Sequence, residues 1–401
     1  MKNHKEQFPK IRFKDNIIHT YCDEWRQHKL GEVFEQTVEY VDPYEQNLEL
    51  WSVTVESGLT PKEERYNREF LVKKSDKFKK LYPEEIVYNP MNITIGAVGF
   101  NNVGKEVAVS GYYVTMKIKS KFSNKFFSVW LSCPKAISLY KIYSTGSLIE
   151  RQRVQFPTLS EIRASFPSFT EQSAIGSLFR TLDDLLVSYK DNLANYQSLK
   201  ATMLSKMFPK VGQTVPEIRL DGFEGEWENK ILSEVTNITM GQSPKSENYT
   251  DNPNDYILVQ GNADIKDKQV VPRLWTTEVT KMAEIGDIIL TVRAPVGDIG
   301  KTDYNVVIGR GVAAIKGNDF IFYTLEKMKM TGFWNKFSTG STFESISSND
   351  IKEAIIQIPT LEEQQAIGAY FSNLDNLINS YQEKISQLET LKKKLLQDMF
   401  I

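Results

Sequence analysis

The sequence predicts an α+β protein: two similar β-rich globules separated by two long helices that pair as an antiparallel coiled coil, giving a pseudo-two-fold molecule. Three observations carry this expectation. A stretch with helical periodicity occurs twice, 192 residues apart, and at that offset 17 of the 42 pairs from Pro167/Pro359 to Phe208/Phe400 are identical. The edges of the segments lying between the copies repeat as well. Within those segments, short runs of Val, Ile and Thr alternate with Gly, Asn and Asp, as in twisted antiparallel sheet.

Taken in order, residues 1–165 form the first globule and 166–210 the first helix. Residues 211–357 form the second globule and 358–401 the second helix. Pro9, Ile11 and Arg12 are echoed by Pro216, Ile218 and Arg219, and WRQHKLGEV from Trp25 by WENKILSEV from Trp227. STGS stands at Ser144–Ser147 and again at Ser338–Ser341, so the chain is a tandem duplication whose loops differ in length. Runs such as GDIILTVRAPVGDIG from Gly286 supply the strands, and helical stretches fall at Lys135–Tyr143 and Phe320–Met330.

In the first helix apolar residues recur at Ile175, Phe179, Leu182, Leu186, Tyr189, Leu193, Tyr196, Leu199, Met203 and Met207, and each has an apolar partner 192 residues later. Steps of four and three place them on one face, the seam of a coiled coil, with a shifted step near Tyr196 and Leu388. Roughly 38 residues at 1.5 Å each make a rod of about 57 Å, which spaces the globules apart. Thr170 or Thr360 is expected to cap each start, with Glu171, Glu362 and Glu363 at the positive helix end. Leu178, Leu185, Tyr370 and Leu377 widen the apolar stripe beyond the seam. A partner-helix interface is therefore expected over Leu178, Leu182, Leu185, Tyr189 and Leu193, and over Tyr370, Leu374, Leu377, Tyr381 and Ile385.

Bulk properties exclude several classes. With 49 basic and 51 acidic residues the net charge is −2, so a polyanion must be met by local clusters. Cys22 and Cys133 suggest a reducing compartment, and with His4, His19 and His28 they make no metal-ligand spacing. No run of 18 apolar residues and no signal-peptide pattern occurs, which predicts a soluble, cytoplasmic chain with no membrane role.

Motifs of catalysis fail inspection. GFNNVGKE (Gly99–Glu106) has the spacing of a phosphate-binding loop but places Glu106 where Ser or Thr should hold magnesium, and VGDIGKT is two residues short; both read as hairpins. VYNPM (Val87–Met91) lacks the second proline of an amino-methyltransferase signature and any glycine-rich cofactor loop. No nucleophile elbow or zinc helix is present. The expectation is no catalytic, cofactor-binding or metal-binding residue in this chain.

Basic and aromatic clusters remain. Lys62, Arg65, Arg68, Lys73, Lys74 and Lys77 interleave with Tyr66 and Phe70, and Lys117, Lys119 and Lys121 follow without an acid between them. Such runs are usually a solvated face, but two in one globule favour a phosphate-backbone surface. In the second globule Lys245, Asn248, Tyr249, Gln260, Asn262, Arg273 and Arg293 are the candidates for reading base edges in a groove.

The whole pattern resembles the specificity subunit of type I restriction-modification enzymes. The resemblance rests on Pro167, Glu171, Gln172, Ala174, Ile175, Leu182 and Asp183, on their counterparts Pro359, Glu363, Gln364, Ala366, Ile367, Leu374 and Asp375, and on GDIILTVRAPVGDIG and STGS. The first globule lacks the Gly286, Asp287 and Arg293 equivalents. The resemblance implies two target-recognition domains, each reading half of a gapped site on double-stranded DNA, and helices that dock two methyltransferase subunits. It also implies restriction subunits in the complex, with S-adenosyl-methionine and ATP/Mg bound by those partners and none by this non-catalytic chain. A coiled-coil adaptor that binds only proteins is the rival, separable by the steep salt dependence of DNA binding.

Overall fold

The computed structural model describes residues 9, 11, 12, 25–62, 77–146, 152–337 and 345–400. They divide into two compact units, Met1–Lys190 with Glu383–Ile401, and Asp191–Gln382. The two long helices run from Phe169 to Lys206 and from Leu361 to Asp398, and each unit holds part of both.

In the first unit a four-stranded sheet runs in the order Phe34–Thr37, Val114–Ile118, Ile86–Tyr88, Val98–Phe100. A five-stranded sheet runs Tyr40–Val41, Phe78–Leu81, Val107–Ser110, Leu50–Thr54, Gly58–Pro61, with Leu50–Thr54 parallel to Val107–Ser110. The second unit repeats this skeleton. Its first sheet begins Ile238–Met240, Val312–Ile315, Ile288–Thr291, Ile299–Lys301 and then adds Gln269–Val270 and Ile265–Lys266. Its five-stranded sheet again pairs two strands in parallel, Tyr256–Val259 and Val306–Ile308. GFNNVGKE does not form the expected hairpin, because Val98–Phe100 and Val107–Ser110 belong to different sheets; buried Asn101 holds the crossing by donating to the carbonyls of Leu81 and Lys105. VGDIGKT does close an antiparallel pair.

Aromatic packing fills the first core, where Phe126, Phe127, Trp130 and Phe166 gather with Phe179 of the first long helix and Phe400 just beyond the end of the second. Each such burial is worth about 1.5–3 kcal/mol. Phe208, Trp227, Phe320 and Phe371 do the same in the second unit. The helices pair antiparallel within each unit: Asp183 meets Lys392 and Lys190 meets Glu389 in the first, while Tyr196 meets Tyr381 and Lys200 meets Asp375 in the second.

The seam differs from its sequence reading at the shifted step. Leu199 and Leu391 are exposed, and in the first helix Lys200 turns inward beside Leu199, which restores the spacing to buried Leu204 and Met207. The caps also shift: Ser168, not Thr170, accepts the Glu171 N–H at the first start, while Thr360 accepts the Glu363 N–H at the second.

The identical residues at each helix start form one joint, made twice. Arg12 donates from Nε and Nη2 to both oxygens of buried Glu171, at 2.7 and 2.8 Å, and Arg219 does so to Glu363 at 2.9 and 2.7 Å. Gln172 donates to the Pro167 carbonyl and accepts the Ser123 N–H; Gln364 donates to the Pro359 carbonyl and accepts from the Asn318 side chain. Gly176 and Gly368 let a short domain helix come close, since a Cβ at Gly176 would sit 2.5 Å from the Lys125 backbone and one at Gly368 2.8 Å from Asp319.

Candidate nucleic-acid interface

In the first unit, Ser110–Tyr113 leave the end of a central strand of the five-stranded sheet and curl over its neighbours. Gly111 is required there: its N–H donates to the Lys77 carbonyl, and a Cβ would lie 2.5 Å from that oxygen. A groove of about 500 Å³ opens beside it, lined by Tyr40, Trp51, Lys62, Lys77, Tyr112 and Tyr113 among others. Tyr40 and Tyr112 are exposed. Beneath it Lys79 is buried, its Nζ 2.6 Å from the Tyr113 carbonyl and 5.8 Å from the Tyr40 ring centroid. Burial pulls the Lys79 ammonium below the usual lysine range. Two lysines amid open aromatic faces can neutralise phosphates and stack on sugars or bases.

Of the predicted basic residues, Lys62 and Lys77 meet at this groove, whereas Arg65, Arg68, Lys73 and Lys74 lie outside the described residues. The second lysine run belongs elsewhere. Lys117 faces Glu35 at 3.4 Å, Lys119 donates to the Gly31 carbonyl at 2.8 Å, and Lys121 lies over Phe122, all at the other sheet. Lys62 and Lys77 therefore lie at a different sheet from the second run, because chain order says nothing about which sheet a residue joins.

The second unit gathers its candidates at the corresponding edge. Gly309–Gly311 follow the matching strand, and Arg310 is exposed with its N–H donated to Ser243 Oγ at 3.1 Å. Gln260 donates to the Tyr249 hydroxyl at 2.7 Å, and its N–H meets Asp264. Arg273, half exposed, donates to the Ala263 carbonyl at 2.8 Å next to exposed Asn262. The Lys245 N–H and Asn248 Nδ2 donate to Glu278, holding that carboxyl below its usual range. Lys245 itself reaches into solvent near Glu247. Arg293 stands apart, exposed at the end of a strand of the other sheet and bridged to Ser345.

Sequence reasoning passed over Tyr40, Tyr112 and Arg310. The signal available was the matched placement of Gly111-Tyr112 and Arg310-Gly311 after equivalent strands, visible only once the strands are paired.

Of the residues expected to meet partner helices, Leu182, Leu374 and Ile385 are buried in their own units. Leu178, Tyr189, Leu193, Tyr370, Leu377 and Tyr381 are half-buried. Leu185 is 41% exposed, and beside the expected residues Val187 and Leu391 in the first unit and Leu199 in the second are 60, 44 and 37% exposed. Among the described residues no group of His, Cys, Asp and Glu is arranged to hold a metal, and no helix is long and apolar enough to cross a membrane.

Residues 224–390 match the family described as Type I restriction modification DNA specificity domain. A putative type I restriction enzyme MjaX specificity subunit of Methanocaldococcus jannaschii is 27% identical over 289 residues, 69% of this chain and 67% of its own. Among solved structures, the type I restriction-modification S subunit from M. genitalium aligns with a TM-score of 0.60 at 15% identity, over 98% of this chain and 99% of that one. The HsdS subunit from Thermoanaerobacter tengcongensis aligns at 0.50 and 22% identity, over 94 and 96%. These likenesses establish the fold: duplicated α+β domains with long helices.

Proposed function

We propose that this chain, a relative of the type I restriction-modification specificity subunits, is the sequence-specific DNA-binding component of such a system, acting in complex with its other subunits. The observation that carries this is the pair of equivalent sheet edges. Each domain presents polar and aromatic side chains around the end of the same strand, lysines and tyrosines in the first and amides, arginines and Tyr249 in the second, and each is fixed to a long helix by the same Arg–Glu joint. In the first domain Lys62 and Lys77 position phosphates while Tyr40 and Tyr112 contact the groove; in the second, Gln260, Asn262, Arg273 and Arg310 offer the amide and guanidinium donors that read base edges.

Each domain then reads one half of a bipartite site, and the bases between go unread. The helices, 38 residues and about 57 Å each, set that gap. Leu185, Val187 and Leu391 in the first unit and Leu199 in the second are the open apolar side chains we assign to contacts with two methyltransferase subunits, with restriction subunits joining them. Methyl transfer from S-adenosyl-methionine and ATP-driven steps are assigned to those partners. Selection of duplexes from a random library by the full chain tests the reading. Two short specified half-sites at a fixed separation, bound with a steep salt dependence, are expected; salt-insensitive retention without sequence preference would leave the protein-adaptor reading instead.

A further inference from the structure

In the second domain Ile265–Lys266 and Gln269–Val270 form an antiparallel pair closed by Asp267 and Lys268, whose φ angles are 49° and 63°. Asn-Gly or Gly-Gly normally fills such a left-handed two-residue turn, and other residues are strained in it. The strain is held by what lies against Lys268. Its Nζ stands 2.6 Å from Glu326 Oε1 and 3.3 Å from both Asp375 oxygens. Lys200, from the first long helix, bonds both Asp375 oxygens at 2.6 and 2.7 Å and Glu326 Oε2 at 3.0 Å, and the Tyr323 hydroxyl donates to Asp375 at 3.0 Å.

Two ammoniums and two carboxylates thus join three bodies at one point: the domain, through the Lys268 turn and the helix Asp319–Met330, and each of the two long helices. The cluster borders a cavity of about 570 Å³. Every charge in it is partnered, so it does not read as a ligand site. Its place along the helix is what matters. Asp375 lies twelve residues beyond the Glu363 joint, about 18 Å at 1.5 Å per residue, so the domain is held at two separated points. Added to the aromatic packing and the first joint, this second charged contact resists rotation of the domain on its helices.

The first unit has the same helix pair, Lys392 with Asp183, but without that cover. Its side chains are 31 and 48% exposed, against 6 and 20% for Lys200 and Asp375. The corresponding domain helix, Asn124–Trp130, has seven residues against twelve and ends before the level of Glu326.

We propose that Lys268 and Glu326 are positioning residues that fix the angle of the second domain on its helices and so make the protein discriminate between gap lengths. This deepens the proposed function and rests on it.

The test uses the full chain and duplexes carrying its selected half-sites at the preferred gap or at one base pair more or less. Wild type is expected to prefer its own gap by about tenfold, within the range that a mispositioned half-site costs. Lys268→Gly removes one ammonium but relieves the left-handed strain and leaves both carboxylates bonded to Lys200, so its melting temperature is expected to change little. Its gap preference is nonetheless expected to fall to about twofold with half-site bases unchanged, as for Glu326→Gln, and Lys268→Arg is expected to restore it. A Lys268→Gly chain with wild-type gap preference, with altered half-site bases, or with a collapsed melting temperature overturns the inference. A wild-type chain that selects no half-sites overturns the proposed function as well, which separates the two failures.

Discussion

The two domains agree where they meet a helix and differ where they face outward. At the helix starts, Arg12–Glu171 and Arg219–Glu363 match atom for atom, and the glutamines and glycines beside them match too. At the sheet edges, two lysines and tyrosines on one domain stand where the other has Gln260, Arg310 and Arg273. A joint has one geometric solution and a buried charge in it tolerates no drift, whereas a solvated edge can change without cost to the core. The difference separates what the protein is built on from what it selects.

The comparison breaks most severely if the joints are unequal. Arg12→Ala and Arg219→Ala each strand a buried carboxylate and are expected to lower unfolding free energy by about 3–5 kcal/mol, by urea titration of the full chain. A much smaller loss for one of them would mean its joint is ornamental. Next in size are the edges. Arg310→Ala should weaken discrimination in one half-site by about 1–3 kcal/mol and leave the other untouched, whereas Lys62→Ala with Lys77→Ala should weaken all sequences together and lower the salt slope by about two. Competition binding at several salt concentrations checks both.

A finer contrast lies in the glycines. Gly176→Ala meets rigid backbone and should cost about 1–3 kcal/mol; Gly368→Ala meets chiefly the Asp319 side chain and should cost less. The smallest effect concerns Lys79. Its folded-state proton is held less tightly than in the unfolded chain, so the cost is complete at neutral pH and is relieved as pH rises through the lowered value toward the ordinary one near about 10.4. Stability of the wild type should show a slight alkaline gain that Lys79→Met lacks.

Much of this is legible in the sequence itself. The doubled periodicity marks both long helices because each turn repeats the same local requirement. Their joints were not legible, since Arg12 and Glu171 are 159 residues apart and nothing local announces the pairing. Leu199 was misassigned to the seam because apolar character outweighed phase, and a lysine satisfied by Asp375 could occupy the inward position. The candidate edges were visible as residue types, but Lys77 and Lys117 fall at different sheets because strand pairing, not chain order, decides neighbours.

The Ile11 N–H donates to the carbonyl of Asp398, and Leu395, Met399 and Phe400 lie in the core of the first domain. During synthesis, therefore, the domain that emerges first is the one that must wait. A chain grown only to residue 382 already contains every residue of the second unit, which can close while the first still exposes the aromatic surface around Phe126 and Phe179. Vulnerability to chaperone capture and proteolysis in the nascent chain should fall on the older half, and a pause in translation before residue 383 should prolong it.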